Sequence, residues 1–395
     1  MREEVCLEIE ENEIKINDDM KDHLKLVFSG SRINLLLGAG FSAHFLGLLD
    51  NNENAFECIK ALNYTDANNN AKKQIFNSYL YWIFFRNCIH PISKDITSNA
   101  NFDSLRNFGK IFYKILRERS NPVIERQLNI FTTNYDPILE IIFDSNRDFI
   151  YNDGFEGRIY PYFSTDHFSK SYYRQAIYSN KKTEVPSVNI LKIHGSLTWC
   201  KNSDDNIIYS NYKDKIENFY NEHSSLFSID TIQENIEEML KNGDRLCTEL
   251  GNYIESDSMD TMISDLNKYE AMMEDYKETF LIVNPTKEKF SSTLLDKNYH
   301  ELLRIYSNEL EKENSILLVN GFSFRDEHIL EITRRSLINP SLKVIIFCYN
   351  RSSLDSIKSL FENSKNENIS YVYLKEPQNL DLNRLNEILN CIFNK

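Results

Sequence analysis

Four stretches of this sequence combine residue types capable of chemistry with the kind of chain position where chemistry is usually done. Gly38-Ala39-Gly40-Phe41-Ser42-Ala43 follows the apolar run Ile33 to Leu37. It satisfies G-x-G-x-x-A directly after a strand, where glycines let backbone approach a dinucleotide pyrophosphate. The N–H groups at the start of a following helix would then face the anion. A tight strand-to-helix turn with no ligand is an equally open reading. An acidic ribose partner roughly 20 residues later, at the end of a second strand, is not evident, which disfavours an ordinary dehydrogenase.

Phe131-Thr132-Thr133-Asn134-Tyr135-Asp136 leaves a second apolar run and gathers small polar side chains and a carboxylate at its carboxyl end. Asn134 could position a ribose hydroxyl or a water, and Asp136 could accept from a carboxamide. An Asx turn capping the helix at Pro137 explains Asp136 nearly as well. Leu191-Lys192-Ile193-His194-Gly195-Ser196 ends a third run. His194 is the best acid/base candidate of the eight histidines, because imidazole titrates near neutrality and this one stands beside a glycine at a strand terminus. A purely structural histidine is the plain alternative. Leu317 to His328 supplies a fourth strand, the glycine turn Gly321-Phe322-Ser323, and a polar helix start that could hold a second ribose or the adenine. Asp326 and Glu327 are read there as offsetting the helix dipole, and Arg325 as a surface or ion-pair residue.

These motifs need a sheet to hold them. Short apolar, β-branched runs recur at Ile33–Leu37, Leu128–Thr132, Val188–Ile193, Phe280–Val283, Ile316–Val319, Val344–Cys348 and Tyr371–Leu374. They are continuous rather than alternating, the pattern of a parallel sheet covered on both faces. The expected fold is therefore α/β: a doubly wound, mainly parallel Rossmann-like sheet with helical insertions forming a second layer or small domain. Residues 1–30 read as an N-terminal extension and 31–395 as the main domain. Insertions at about 54–120 and 210–278 show helical spacing, as in Phe108, Ile111, Phe112 and Ile115, or Ile232, Ile236, Met239 and Leu240.

Composition narrows the function classes. An apolar fraction of 41% supports a real core, and the amino terminus lacks the basic and apolar pattern of a signal peptide. No apolar run approaches the roughly 20 residues of a membrane helix. Seven dispersed cysteines with no C-x-x-C pair fit a reduced cytoplasm. The net charge of −14 disfavours direct nucleic-acid binding. It is unevenly spread: from Lys215 to Glu278, sixteen Asp or Glu face five Lys or Arg, leaving −11 in that stretch.

Taken in order, GAGFS, TTNYD, KIHGS and VNGFSFRDEH resemble the sirtuin superfamily, in particular its bacterial branch of NAD hydrolases in anti-phage defence. The resemblance spans about Ile33 to Leu374. It implies that Gly38, Ala39, Gly40, Phe41 and Ser42 form the phosphate and ribose loop, that Thr132, Asn134 and Asp136 handle the nicotinamide ribose and carboxamide, and that His194 is the general base. Gly321 and Ser323 look like the later ribose loop. Gly47-Leu48-Leu49-Asp50 resembles the loop that closes over NAD, with Leu49 in place of the family's proline and one extra residue of spacing, which makes Asp50 a site residue by resemblance. Protein-deacylating sirtuins carry a zinc module with paired C-x-x-C ligands, and this sequence has none, so no metal is expected and water becomes the favoured acceptor. The implied reaction is hydrolysis of NAD to nicotinamide and ADP-ribose. Alternatives are an NAD-dependent protein deacylase or ADP-ribosyltransferase, and a non-catalytic NAD or ADP-ribose binding scaffold. By the same analogy, a homo-oligomer and a hexameric DNA-translocase ATPase of the HerA type are the expected partners.

Overall fold

The computed structural model describes residues 3–10, 13–16, 18–43, 45–46, 52–98, 102–119, 124–145, 149–228, 230–241, 245–284, 293–362 and 368–393. Two compact units make up the chain, one from 1–42, 97–194 and 297–395, the other from 43–96 and 195–296.

The first unit is built on a nine-stranded sheet. Eight strands run parallel in the spatial order Glu3–Glu10, Ile369–Leu374, Lys343–Phe347, Ser315–Asn320, Arg32–Leu37, Gln127–Thr132, Ser187–Lys192 and Ile150–Asn152; Glu13–Lys15 adds an antiparallel edge. Ser187–Lys192 is buried at every residue, and Arg32–Leu37 and Gln127–Thr132 at every residue but the first. Such strands need cover on both faces, which is why they read as unbroken apolar runs. Part of that cover is the helix Phe102–Arg117, which buries Leu105, Phe108, Phe112 and Leu116 along one stripe. The chain winds outward on one side of Arg32–Leu37 and later returns to its other side, so the order reverses there. The carboxyl ends of strands at such a reversal form the crevice where open α/β sheets bind ligands.

The paired positions Asn320, Leu37, Thr132 and Lys192 form one row across four neighbouring strands. All four chemical motifs leave the sheet from that row. Deeper in the sheet lies a second row, of asparagines. Asn129 donates to Asn34 at 3.0 Å, Asn189 to Asn129 at 2.9 Å, and Asn152 to Asn189 at 2.9 Å. All four are buried. A slip of one residue would strand these amides in an apolar layer, so the ladder locks the register.

Three features differ from the pattern in the sequence. Glu3–Glu10 joins the central sheet, pairing with Ile369–Leu374, so the first thirty residues contribute two strands and the helix Asp18–Gly30. Ile150–Asn152, only three residues long, pairs with Ser187–Lys192 at the sheet's far edge. Phe280–Val283 is buried but makes only an isolated bridge from Ile282 to Gly195, because a short apolar run signals burial and does not by itself specify a ladder.

The second unit is mainly helical, with Asn52–Ala61, Ala67–Phe84, Tyr212–His223, Asp230–Lys241, Leu246–Glu255 and Leu266–Thr279. Rings fill its core: Phe227 stacks on Trp82 and meets Tyr79 edge-on, both at 4.8 Å, and Tyr81 meets Tyr276 at 5.1 Å. Cys58 and Cys247 are joined by a disulfide across 189 residues of sequence, which departs from the expectation of reduced cysteines. No helix among the described residues is long and apolar enough to cross a membrane.

Candidate active site

The glycine turn after Arg32–Leu37 is locked from above by the fourth motif. A Cβ on Gly38 would lie 2.5 Å from the carbonyl oxygen of Gly321, and one on Gly40 2.7 Å from its Cα. Gly321 has φ +64°, and a Cβ there would lie 2.3 Å from the Phe41 nitrogen. Only glycine fits at all three positions. The Gly38 N–H donates to Asn320 O at 3.2 Å, Gly40 N–H to Gly321 O at 2.9 Å, and Phe41 N–H to Gly38 O at 2.9 Å. Three loop donors are thus used within the protein, and the following helix, Ala39–Ser42, is four residues long. A phosphate held here would rely less on a helix terminus than the motif alone implies.

The residues sort into a rim and a floor. Ala39, Gly40 and Ser323 are exposed on the rim. Phe41 turns inward against Phe108, with ring centroids 5.1 Å apart, so it anchors the loop through its side chain. The floor is one hydrogen-bond network. Thr132, fully buried, donates its hydroxyl to Leu37 O at 2.9 Å and accepts from the Asn134 N–H at 3.0 Å. The Asn134 side-chain nitrogen donates to Gly38 O at 2.9 Å and to the Ser42 hydroxyl at 3.1 Å. The Ser42 hydroxyl donates in turn to Asp136 Oδ2 at 3.2 Å, and Asp136 Oδ1 accepts from the Ile138 N–H at 3.0 Å. Because Gly38 O can only accept, the Asn134 amide orientation is chemically forced, leaving its Oδ1 as the remaining acceptor.

Asp136 is 3% exposed and spends both carboxylate oxygens on Ser42 and the Ile138 backbone. The Asx-turn role is therefore present, and through Ser42 the same carboxylate steadies Asn134. Beneath it lies a buried cation that the sequence reading passed over. Lys192 donates to the Asp136 carbonyl oxygen and approaches Glu140 Oε2 at 3.2 Å, an ion contact without the alignment of a hydrogen bond. Burial pushes the Glu140 carboxyl up to about 7, against the pull of Lys192. A lysine ending a fully buried strand was the available signal, since a buried charge needs partners.

His194 lies two residues past the row that Thr132 and Lys192 share, as Asn134 does on the neighbouring strand. Its Nε2 is 3.0 Å from Asp326 Oδ2, with 19% of the histidine side chain and 6% of the aspartate exposed. Asp326 Oδ1 meanwhile caps the helix Glu327–Ser336, accepting from the N–H groups of His328 and Ile329 at 3.0 and 3.2 Å. The dipole role read from sequence is real, and the second oxygen does something the sequence did not show. With Nε2–H directed at the carboxylate, the neutral ring carries its lone pair on Nδ1. Tyr299 packs near His194, ring centroids 6.1 Å apart, and burial together with the Asp326 charge raises its phenol above the ordinary value. Asp50 lies outside the described residues.

This arrangement places an exposed glycine turn, the Asn134 amide oxygen and a carboxylate-oriented imidazole along the strand ends. Residues 128–243 match the SIR2-like domain family. The match begins in the strand that precedes Asn134 and continues through His194, covering less than half of the chain. No curated protein matches the sequence. That part of the chain is similar to SIR2-like domains, which use NAD as a substrate. Among the described residues one group could ligate a metal, Glu222, His223 and Asp275, with potential ligand atoms all within 4.8 Å of one another. It contains no cysteine and lies in the helical unit.

Proposed function

We propose that the chain hydrolyses NAD to nicotinamide and ADP-ribose, using Asn134 to hold the attacking water and His194 as the base. The observation that carries this reading is the paired placement of Asn134 and His194 two residues beyond one sheet row, each oriented by a separate buried carboxylate. NAD would lie across the strand ends, its pyrophosphate against the exposed Ala39-Gly40 turn and a ribose near Ser323. The nicotinamide bond is already weakened by the pyridinium charge, so departure generates an oxocarbenium-like ribose that fixed dipoles can stabilise. Asn134 Oδ1 accepts a hydrogen bond from water, and Nδ1 of His194 takes the proton as water attacks the anomeric carbon. Asp326 holds the ring and offsets the imidazolium that forms; Asp136 acts through Ser42. Neither needs to touch the substrate.

Water is favoured as acceptor because the sequence has no C-x-x-C pair for the zinc module that accompanies an acyl-lysine groove in deacylating sirtuins. A role as an anti-phage effector in the cytoplasm, gated by self-assembly or by a HerA-type ATPase, completes the proposal. The test is product identification after incubation of the purified chain with NAD, alone and with its genomic neighbour. We expect nicotinamide and free ADP-ribose in equal amounts. Label transferred to protein, or consumption that requires an acylated peptide, would instead establish a transferase or deacylase.

A further inference from the structure

The acidic stretch and the segment 155–184 supply none of the site residues named above, and their surfaces are opposite in character. Exposed large apolar side chains concentrate in that segment: Ile159, Tyr160, Tyr162, Tyr173, Ile177 and Tyr178, the last 98% exposed. Tyr173–Gln175 pairs antiparallel with Lys182–Glu184 in a two-stranded ribbon separate from the central sheet, with Ile177 and Tyr178 at its tip. Isolated two-stranded ribbons are marginal in water, and aromatic tips cost solvation unless something covers them. Arg174, Lys181 and Lys182 flank the tip; all three are exposed, and none forms an ion pair with a described residue. On the helix Leu266–Thr279, Glu270, Glu274 and Glu278 are also exposed and likewise unpaired among the described residues. They recur every fourth residue, so they form a single carboxylate stripe about 12 Å long. Like charges at this spacing repel one another and weaken a helix unless a cationic surface neutralises them.

We propose that the ribbon Tyr173–Glu184 of one copy docks on the carboxylate stripe of the helix Leu266–Thr279 of a second copy. Tyrosines suit the core of a protein interface and the flanking cations its polar rim, and the occupant with matching charge is this chain itself. Nucleic acid would meet the same ribbon but also a molecule of net charge −14. The two patches are different surfaces, so the contact is head-to-tail and propagates to a ring or an open chain.

Sedimentation velocity on the full chain tests this without any use of NAD turnover. We expect the wild type to self-associate at low salt and less so as salt rises. A ribbon variant (Arg174→Glu with Tyr178→Ser) and a stripe variant (Glu270→Lys with Glu274→Lys) should each self-associate at least roughly tenfold more weakly, with unchanged circular dichroism. Mixing the two variants restores one intact interface, so they should form a one-to-one pair and nothing larger. A wild type that stays monomeric at every salt concentration, an assembly that both variants keep, or a ribbon variant whose defect is loss of single-stranded oligonucleotide binding would overturn the proposal.

Discussion

His194 and Asp326 stand 132 residues apart in sequence and 3.0 Å apart at their polar atoms. His194 stood out in the sequence as the best acid/base candidate because it lies beside a glycine at a strand end, with a structural histidine as the plain alternative. The contact with Asp326 was not read, since an aspartate at a helix start is satisfactorily explained by the helix dipole, and it does cap that helix. Its two oxygens divide the work, which gives a clean experiment. Asn caps a helix about as well as Asp, so Asp326→Asn should keep the melting midpoint while removing the charge opposite His194. We expect kcat for nicotinamide release to fall about 10- to 1000-fold with KM nearly unchanged. A matched loss of stability would instead make Asp326 a structural cap alone.

Among the elements, the strands closest to the site were the most readable, because full burial on both faces leaves an unbroken apolar run. The asparagine ladder went unread: Asn34, Asn129, Asn152 and Asn189 each lie within or end a strand, but a single amide in a strand carries no register until its partners are known. The glycine interlock was half visible. Gly38 and Gly40 read as a phosphate turn, whereas their closest neighbour is Gly321, whose left-handed backbone brings the fourth motif down onto the loop. Gly321→Ala should therefore destabilise the chain by at least about 2 kcal/mol, through the strained φ and the collision with the Phe41 nitrogen. Chemical denaturation measures this, and a change below about 0.5 kcal/mol, the ordinary scale of surface substitutions, would mean the turn can relax.

For the molecule as a whole, the doubly wound sheet was predictable and the division of the chain was harder. Glu3–Glu10 alternates carboxylates with Val5, Leu7 and Ile9, so it read as an acidic extension although that period suits a strand near a sheet edge. The Cys58–Cys247 bond could not be read from dispersed cysteines, because spacing alone does not fix a pairing. The sheet unit gathers the glycine turn, Asn134, His194 and Asp326, while the helical unit carries most of the acidic excess. The central claim is that Asn134 and His194 together break the nicotinamide bond. It is tested most directly by the rate of nicotinamide release from NAD in the wild type, Asn134→Ala and His194→Ala, each first shown to be folded. We expect measurable release by the wild type and a loss of about 100-fold or more in each variant. Release by His194→Ala at close to the wild-type rate would contradict it.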